Sequence, residues 1–142
     1  METTFKELSV AHLEHMLPLA KQLNPHRSLK ELKHLQTSMF ELPRYKSFGV
    51  FDGANLVAIS SCWLTTRHYS GKQLELDNVI VDEKYQSKGI GNILLSEIEK
   101  WAKSIDCKTI ELNTYVQNLR SHKFYYNQGY QLLGFHFQKK IG

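Results

Sequence analysis

At 142 residues the chain is long enough to bury a sizeable core in one domain and too short for two. Hydrophobic residues at 42% and charged residues at 23% are ordinary globular values, which excludes a disordered or fibrous chain. The balance of 18 Lys+Arg against 14 Asp+Glu gives +4, dispersed in small clusters at Lys84 and Lys88, at Lys100, Lys103 and Lys108, and at Lys139 and Lys140, rather than gathered in the single basic face of a nucleic-acid binder.

A short strand over Thr3–Glu7 precedes Ser9, a candidate helix cap, after which Leu13, Met16, Leu17, Ala20 and Leu23 recur at helical spacing. Asn24-Pro25 stops that helix, Ser28 caps a second one carrying Leu29, Leu32, Leu35 and Met39, and Pro43 ends it. His12 and His15 on the first helix have no companion ligand set and read as solvated side chains. From Lys46 the period changes. Lys46–Phe51 and Asn55–Thr65 are rich in strand formers and are joined by Asp52-Gly53, a hairpin signal.

Gly71 marks the next turn. Residues 73–81 alternate at first, then become the apolar run Val79-Ile80-Val81, which predicts a strand passing into the sheet interior. Gly89 to Ser104 is the clearest helix, with Ile90, Leu94, Ile98, Trp101 and Ile105 on one stripe, widened by Ile93 and Leu95. Thr109–Thr114 reads as a strand, and Asn118–Gln128 as a helix stopped by Gly129. Tyr130–Lys139 reads as two short strands broken at Gly134. The expected order is β-α-α-β-β-β-α-β-α-β-β, one mixed α/β domain over residues 1–142.

Cys62 and Cys107 are too few for a disulfide framework and lack metal-ligand spacing. No apolar run reaches the roughly 18 residues of a membrane span, and the N-terminus lacks a signal-peptide pattern. The expectation is a soluble, reduced, cytoplasmic protein without a metal, a membrane or a nucleic acid as partner.

The informative segment is Gln86-Ser87-Lys88-Gly89-Ile90-Gly91, between the strand ending at Val81 and the amphipathic helix. Such a strand-to-helix turn aims backbone N–H groups and the positive end of a helix dipole at one spot, which calls for an anion. Gly89 and Gly91 remove side chains where a ligand would approach the backbone, and Lys88 adds charge. The bland alternative is that two glycines relieve crowding at a tight turn. The absence of GxxxxGK[ST] and of GxGxxG after an N-terminal strand argues against a Walker-type NTPase and a dinucleotide fold.

Gln86-x-x-Gly89-x-Gly91 after an apolar strand resembles the acyl-CoA-binding motif of the GNAT acetyltransferase superfamily. Asn118-x-x-Ser121-x-x-Phe124-Tyr125-x-x-x-Gly129-Tyr130 is similar to a second segment of that superfamily, in register downstream. Gln86 for Arg, Ser121 for Ala, Tyr130 for Phe and Glu83 for Pro are departures. The resemblance implies a single GNAT-like domain, a mostly antiparallel sheet flanked by about four helices. It implies acetyl-CoA as co-substrate, with residues 86–91 (Gln86, Ser87, Lys88, Gly89, Ile90 and Gly91) around its pyrophosphate and the backbone of Val79, Ile80 and Val81 beside its pantetheine amides. Asn118 would bind the pantetheine arm, and Tyr125 would lie near the thioester sulfur.

Acetyl transfer to an amine must remove a proton from an alkylammonium, whose reference pKa is about 10.4 for lysine, and stabilise or protonate a departing thiolate. Glu75 matches the strand glutamate that serves as base in several members of this superfamily. Asp77 lies on the same strand face, and two neighbouring carboxylates tend to raise one pKa. Both also read as solvated or salt-bridged strand residues. Tyr125 is the candidate acid by motif position; Tyr126 is expected in packing or on the substrate side. Cys62, in an apolar strand, reads as a small buried hydrophobe, so direct attack in a ternary complex is expected rather than an acyl-enzyme.

The acceptor is expected to be a primary amine of a small molecule or peptide, bordered by residues 10–41 and by Arg67, His68 and Tyr69. Arg67, His68 and Arg120 are candidates for receiving an anionic group on it. The C-terminal pattern His122-Lys123-Phe124-Tyr125…Phe135-His136-Phe137…Lys139 is similar to acetyltransferases that act on aminoalkylphosphonates. Two other classes stay open: a non-catalytic acyl-CoA-binding module and a basic nucleic-acid-binding domain. A homodimer is one possible assembly.

Overall fold

The structure, a computed structural model, describes residues 1–142 and groups them into two compact units, Met1–Glu111 and Leu112–Gly142. The order is β1 (Thr3–Leu8), α1 (Leu13–Leu23), α2 (Leu29–Phe40), β2 (Tyr45–Asp52), β3 (Asn55–Arg67), β4 (Gly71–Val81), α3 (Ile90–Ser104), β5 (Thr109–Leu112) and α4 (Leu119–Asn127). The strands form one five-stranded sheet in sequence order, in which the pairs β1–β2, β2–β3 and β3–β4 are antiparallel. The mixed α/β class and the expected order hold from β1 through α4.

Local chemistry sets the helix ends. Ser9 caps a short 3₁₀ turn, Val10–His12, and His12 closes the box by accepting from the Ser9 N–H, so this histidine is spent on a cap. Ser28 and Glu31 form the same reciprocal box at the start of α2. Gly53, at φ 58°, supplies the left-handed backbone that the two-residue β2–β3 turn requires.

In the first unit α1 packs on β3 and β4, and α3 packs on β2, β3 and β4. Residues 56–62 of β3 are buried without a break, as expected of a strand covered on both faces. One cluster joins Leu8, Met16, Leu19, Phe51, Leu56 and Ile59, with Phe40 and Ile80 at its margin. The α3 stripe is Ile90, Leu94, Leu95, Ile98 and Ala102, while Trp101 packs against Phe48 with ring centroids 4.9 Å apart. No helix is long and apolar enough to cross a membrane.

Two expectations are corrected. Val79, Ile80 and Val81 are half-buried rather than interior, because strand periodicity reports apolar character and not whether the tertiary fold covers it. Residues 130–142 carry no regular secondary structure, so the two strands expected over Tyr130–Lys139 are absent. Strand-forming residues supply only a preference, and a strand also needs a partner edge. Leu132, Phe135 and Phe137 in that segment are 93%, 85% and 91% exposed.

In the second unit the Asn118 side chain accepts from the Ser121 N–H at 3.2 Å to cap α4, and Gly129, at φ 91°, follows the helix as its left-handed stop. Phe124, Tyr125 and Tyr130 form an edge-to-face series with centroid separations of 5.2 and 5.6 Å.

Candidate functional site

The site begins with an irregularity in β4. Ile80 pairs with Ile59 and Asp77 with Ser61, so Asn78 and Val79 together oppose the single residue Ser60. This is a β-bulge, and Asn78 occupies it at φ 51°. Asn is among the few residues that take a left-handed backbone readily. The bulge is held from below. Asn78 Nδ2 donates to Ser61 Oγ at 3.1 Å, Ser61 Oγ is 2.7 Å from Tyr45 Oη, and Gln36 Nε2 donates to Tyr45 Oη at 2.8 Å. Gln36, Tyr45 and Ser61 are buried, and burial pushes the Tyr45 phenol above its ordinary pKa. This network was not anticipated from the sequence. An Asn in the middle of a strand pattern, where Asn is depleted, was the available signal.

Beyond Val81 the chain is tied down before it turns. The Asp82 N–H donates to Val57 C=O at 2.8 Å; Gln22 on α1 receives the Glu83 N–H at 3.1 Å and donates to Asp82 Oδ1 at 3.4 Å. Tyr85 Oη donates to Asp52 Oδ2 at 3.1 Å, and the Lys88 ammonium lies 5.3 Å from the Tyr85 ring centroid. Ser87 and Gly89 both take left-handed backbone, at φ 62° and 79°. Turns of that kind aim successive amides to one side.

Residues 86–89 are exposed, whereas the Ile90 side chain is fully buried and anchors the start of α3. Ile90 therefore offers a ligand only its backbone. Gly89 caps α3 without a side chain, no acidic residue lies in the first turn, and the first helical bond runs from the Ile93 N–H to Gly89 C=O at 3.2 Å. A Cβ placed on Gly89 would meet nothing within 4 Å. Open space, a helix N-terminus and a neighbouring cation make this segment suited to an anionic group.

Glu75 sits on β4 opposite Trp63, its side chain 30% exposed, with the Arg67 guanidinium 3.7 Å away. Asp77 is exposed, and its Oδ1 accepts the Asn78 N–H at 2.9 Å, so it braces the bulge. His68 and Tyr69 lie in the β3–β4 turn, where Tyr69 Oη donates to Glu111 Oε1 at 2.6 Å. Glu75, residues 79–81 and residues 86–91 thus share the first unit, on one strand and the loop that continues it.

Asn118 and Tyr125 belong to the second unit. The Asn118 oxygen is engaged in the α4 cap, a use that leaves the Nδ2 donor of the same carboxamide outside that bond. Tyr125 is half-buried, and burial pushes its phenol up to about 12, so it holds its proton throughout the neutral range. Tyr126 is 77% exposed. Cys62 is buried and its thiol is pushed up to about 12. Its thiolate is therefore negligible near neutrality, which removes it as a nucleophile. No group of three or more His, Cys, Asp or Glu side chains that could hold a metal ion is present.

Comparison with known proteins adds four findings. A family model described as Acetyltransferase (GNAT) family matches residues 13–130. The spermine/spermidine N(1)-acetyltransferase of Bacillus subtilis (strain 168) is 26% identical over 122 residues, covering 79% of this chain and 80% of that protein. Among solved structures, an aminoglycoside N-acetyltransferase, AAC(6')-Iy, in complex with CoA superposes with a TM-score of 0.87 at 16% identity, covering 99% of this chain and 95% of the other. A ribosomal-protein-alanine N-acetyltransferase from Brucella melitensis biovar Abortus 2308 superposes with a TM-score of 0.85 at 14% identity, covering 99% and 100%. At such identities the last two likenesses establish a shared fold.

Proposed function

The chain belongs to the acetyltransferase (GNAT) family, and on that premise we propose that it transfers the acetyl group of acetyl-CoA to a primary amine by direct attack in a ternary complex. The observation that carries the reading is the continuity of one segment. A bulge at Asn78 leads into the half-buried apolar residues 79–81, and these run through an anchored loop into the uncapped N-terminus of α3.

In this reading the Val79 and Val81 backbone pairs with the pantetheine amides, and residues 86–91 receive the pyrophosphate. Lys88 contributes attraction. Asn118 binds the pantetheine arm through its carboxamide. Glu75 takes the proton from the acceptor ammonium, directly or through water, and the freed nitrogen attacks the thioester carbonyl. As the C–S bond breaks, the Tyr125 phenol supplies the proton that the thiolate takes up, and the second proton, shed by the attacking nitrogen as it becomes an amide, returns through water to Tyr125. The products are the N-acetylated amine and CoA. Each proton transfer is worth about 10²–10⁴ in rate. A phenol near 12 is always loaded but is less acidic than an ordinary thiol at about 8.5, so it serves the departing thiolate first as a hydrogen-bond donor, and its proton passes over only as the nitrogen's proton replaces it.

The relatives are named for spermine and spermidine, for aminoglycosides and for a ribosomal-protein alanine, all amine acceptors. They support an amine as acceptor and leave its class open between small molecule and peptide. The test of the donor side is thermal stabilisation. Acetyl-CoA and CoA at about 100 times their Kd should each add about 2.7 kcal/mol to stability, while ATP, which lacks the pantetheine arm, should add far less. Equal shifts with all three, or none, refute the assignment.

A further inference from the structure

The first unit has a second feature beside the β4 bulge. A cavity of about 200 Å³ opens between α1, α2 and the centre of β3 and β4. Its apolar wall is made by Leu23, Leu32, Leu35, Met39 and Ile59. The polar atoms are almost all neutral: Asn24, Gln36 and Asn78 contribute three carboxamides. Each of these already donates an N–H inside the protein, to Ala20 C=O at 3.2 Å, Tyr45 Oη at 2.8 Å and Ser61 Oγ at 3.1 Å respectively, so their positions are set before any ligand arrives.

The single charged group in the lining is a cation, Arg27, and the Glu31 carboxylate that pairs with it at 3.2 Å is exposed and is not itself part of the lining. No carboxylate faces the cavity. The nearest acidic side chain along β4, Asp77, is engaged by the Asn78 N–H, and Glu75 lies beside Arg67. One wall, Asn78, is the residue immediately before Val79, so the cavity adjoins the strand segment assigned to the pantetheine arm.

We propose that this cavity holds the body of the acceptor, and that the acceptor is a compact, mainly apolar primary amine with no second positive charge. The inference rests on the acetyltransferase reading given above. Size and charge carry it together. An apolar cavity of about 150 Å³ is known to take a benzene-sized ligand, so about 200 Å³ takes a small ring or a branched alkyl group, while the several ammonium groups of an aminosugar find no carboxylate in this lining. A linear polyamine would fit by volume, but each extra ammonium placed among Leu32, Leu35 and Ile59 would be desolvated without a carboxylate to meet it. An apolar body loses nothing there, and a hydroxyl or amide on it finds the three carboxamides.

The experiment compares kcat/KM for 2-phenylethylamine and isobutylamine against spermidine and kanamycin with the full chain and saturating acetyl-CoA, beside a thermal-shift titration of acetyl-CoA alone. The expected result is a preference of tenfold or more for the two compact amines, the size of effect that apolar pocket contacts give. Met39→Trp, which fills the cavity, should raise their KM at least tenfold and leave the KM of acetyl-CoA unchanged. Leu35→Glu, at a half-exposed rim position, should shift preference several-fold toward spermidine by supplying the missing carboxylate.

If spermidine or kanamycin is preferred, or if acetyl-CoA binds and none of the amines is acetylated, the acceptor class is wrong while the donor assignment stands. If Met39→Trp binds acetyl-CoA normally and leaves every amine KM unchanged, the cavity is not the acceptor site. If acetyl-CoA produces no shift, both this inference and the reading beneath it fall.

Discussion

Tyr45→Phe isolates the network that holds the β4 bulge. Tyr45 is 6% exposed, and its ring contacts with Phe40 and Trp63, at 5.5 and 4.8 Å, survive the substitution. What is lost is one oxygen. Gln36 Nε2 then has no acceptor at 2.8 Å, while Ser61 Oγ loses its 2.7 Å partner but keeps Asn78. One buried donor left wanting costs about 1–3 kcal/mol, and a hydroxyl stripped of one of two bonds adds about 0.5–1 kcal/mol.

The expected loss is therefore about 1.5–4 kcal/mol, or roughly 5–13 °C in Tm for a chain of this length. Urea denaturation at pH 7 measures it. Gln36→Leu removes the stranded donor, so the double variant should be more stable than the sum of the two single losses by about 0.5–2 kcal/mol. A Tyr45→Phe loss below about 0.5 kcal/mol, or strict additivity in the double variant, would refute the claim that these groups act as one unit.

Gly89→Ala should cost about 1 kcal/mol, because the added Cβ meets nothing and only the left-handed backbone is strained. The same methyl occupies the space assigned to the pyrophosphate, so acetyl-CoA affinity should fall tenfold or more by calorimetry. Glu75→Gln should lower kcat at neutral pH by about 10²–10⁴ and abolish the acidic limb of the pH–rate profile, with the acetyl-CoA KM unchanged. Tyr125→Phe should lower kcat by a similar factor, and the wild-type profile should show no phenol ionisation below pH 10, since that group lies near 12. Cys62 is held at about 12 against an ordinary value near 9, so its contribution to stability is full below pH 9 and shrinks as pH rises toward 12. Cys62→Ala should therefore flatten the decline of stability between pH 9 and 10, worth about 1 kcal/mol, and native protein at pH 8 should resist thiol reagents at that position.

Features written in short stretches of chain were legible from the sequence. Ser28 caps its helix, Gly129 ends α4, and Ile90, Leu94 and Ile98 face the core, because each depends on residues within a turn or two. The Gly89 turn was legible for the same reason: a strand end, a glycine and a helix start adjoin in sequence. The bulge at Asn78 was not, since it exists only as a mismatch of register between β3 and β4, and its support comes from Gln36 and Tyr45, more than thirty residues away in the chain.

The cavity is likewise a product of four elements, α1, α2, β3 and β4, whose side chains fail to close the space between them. Residues 130–142 make the same point in reverse, with strand-forming residues but no strand. Local preference is a property of the residues themselves. Pairing, burial and enclosed volume are relations between distant segments, settled when the helices pack against the sheet.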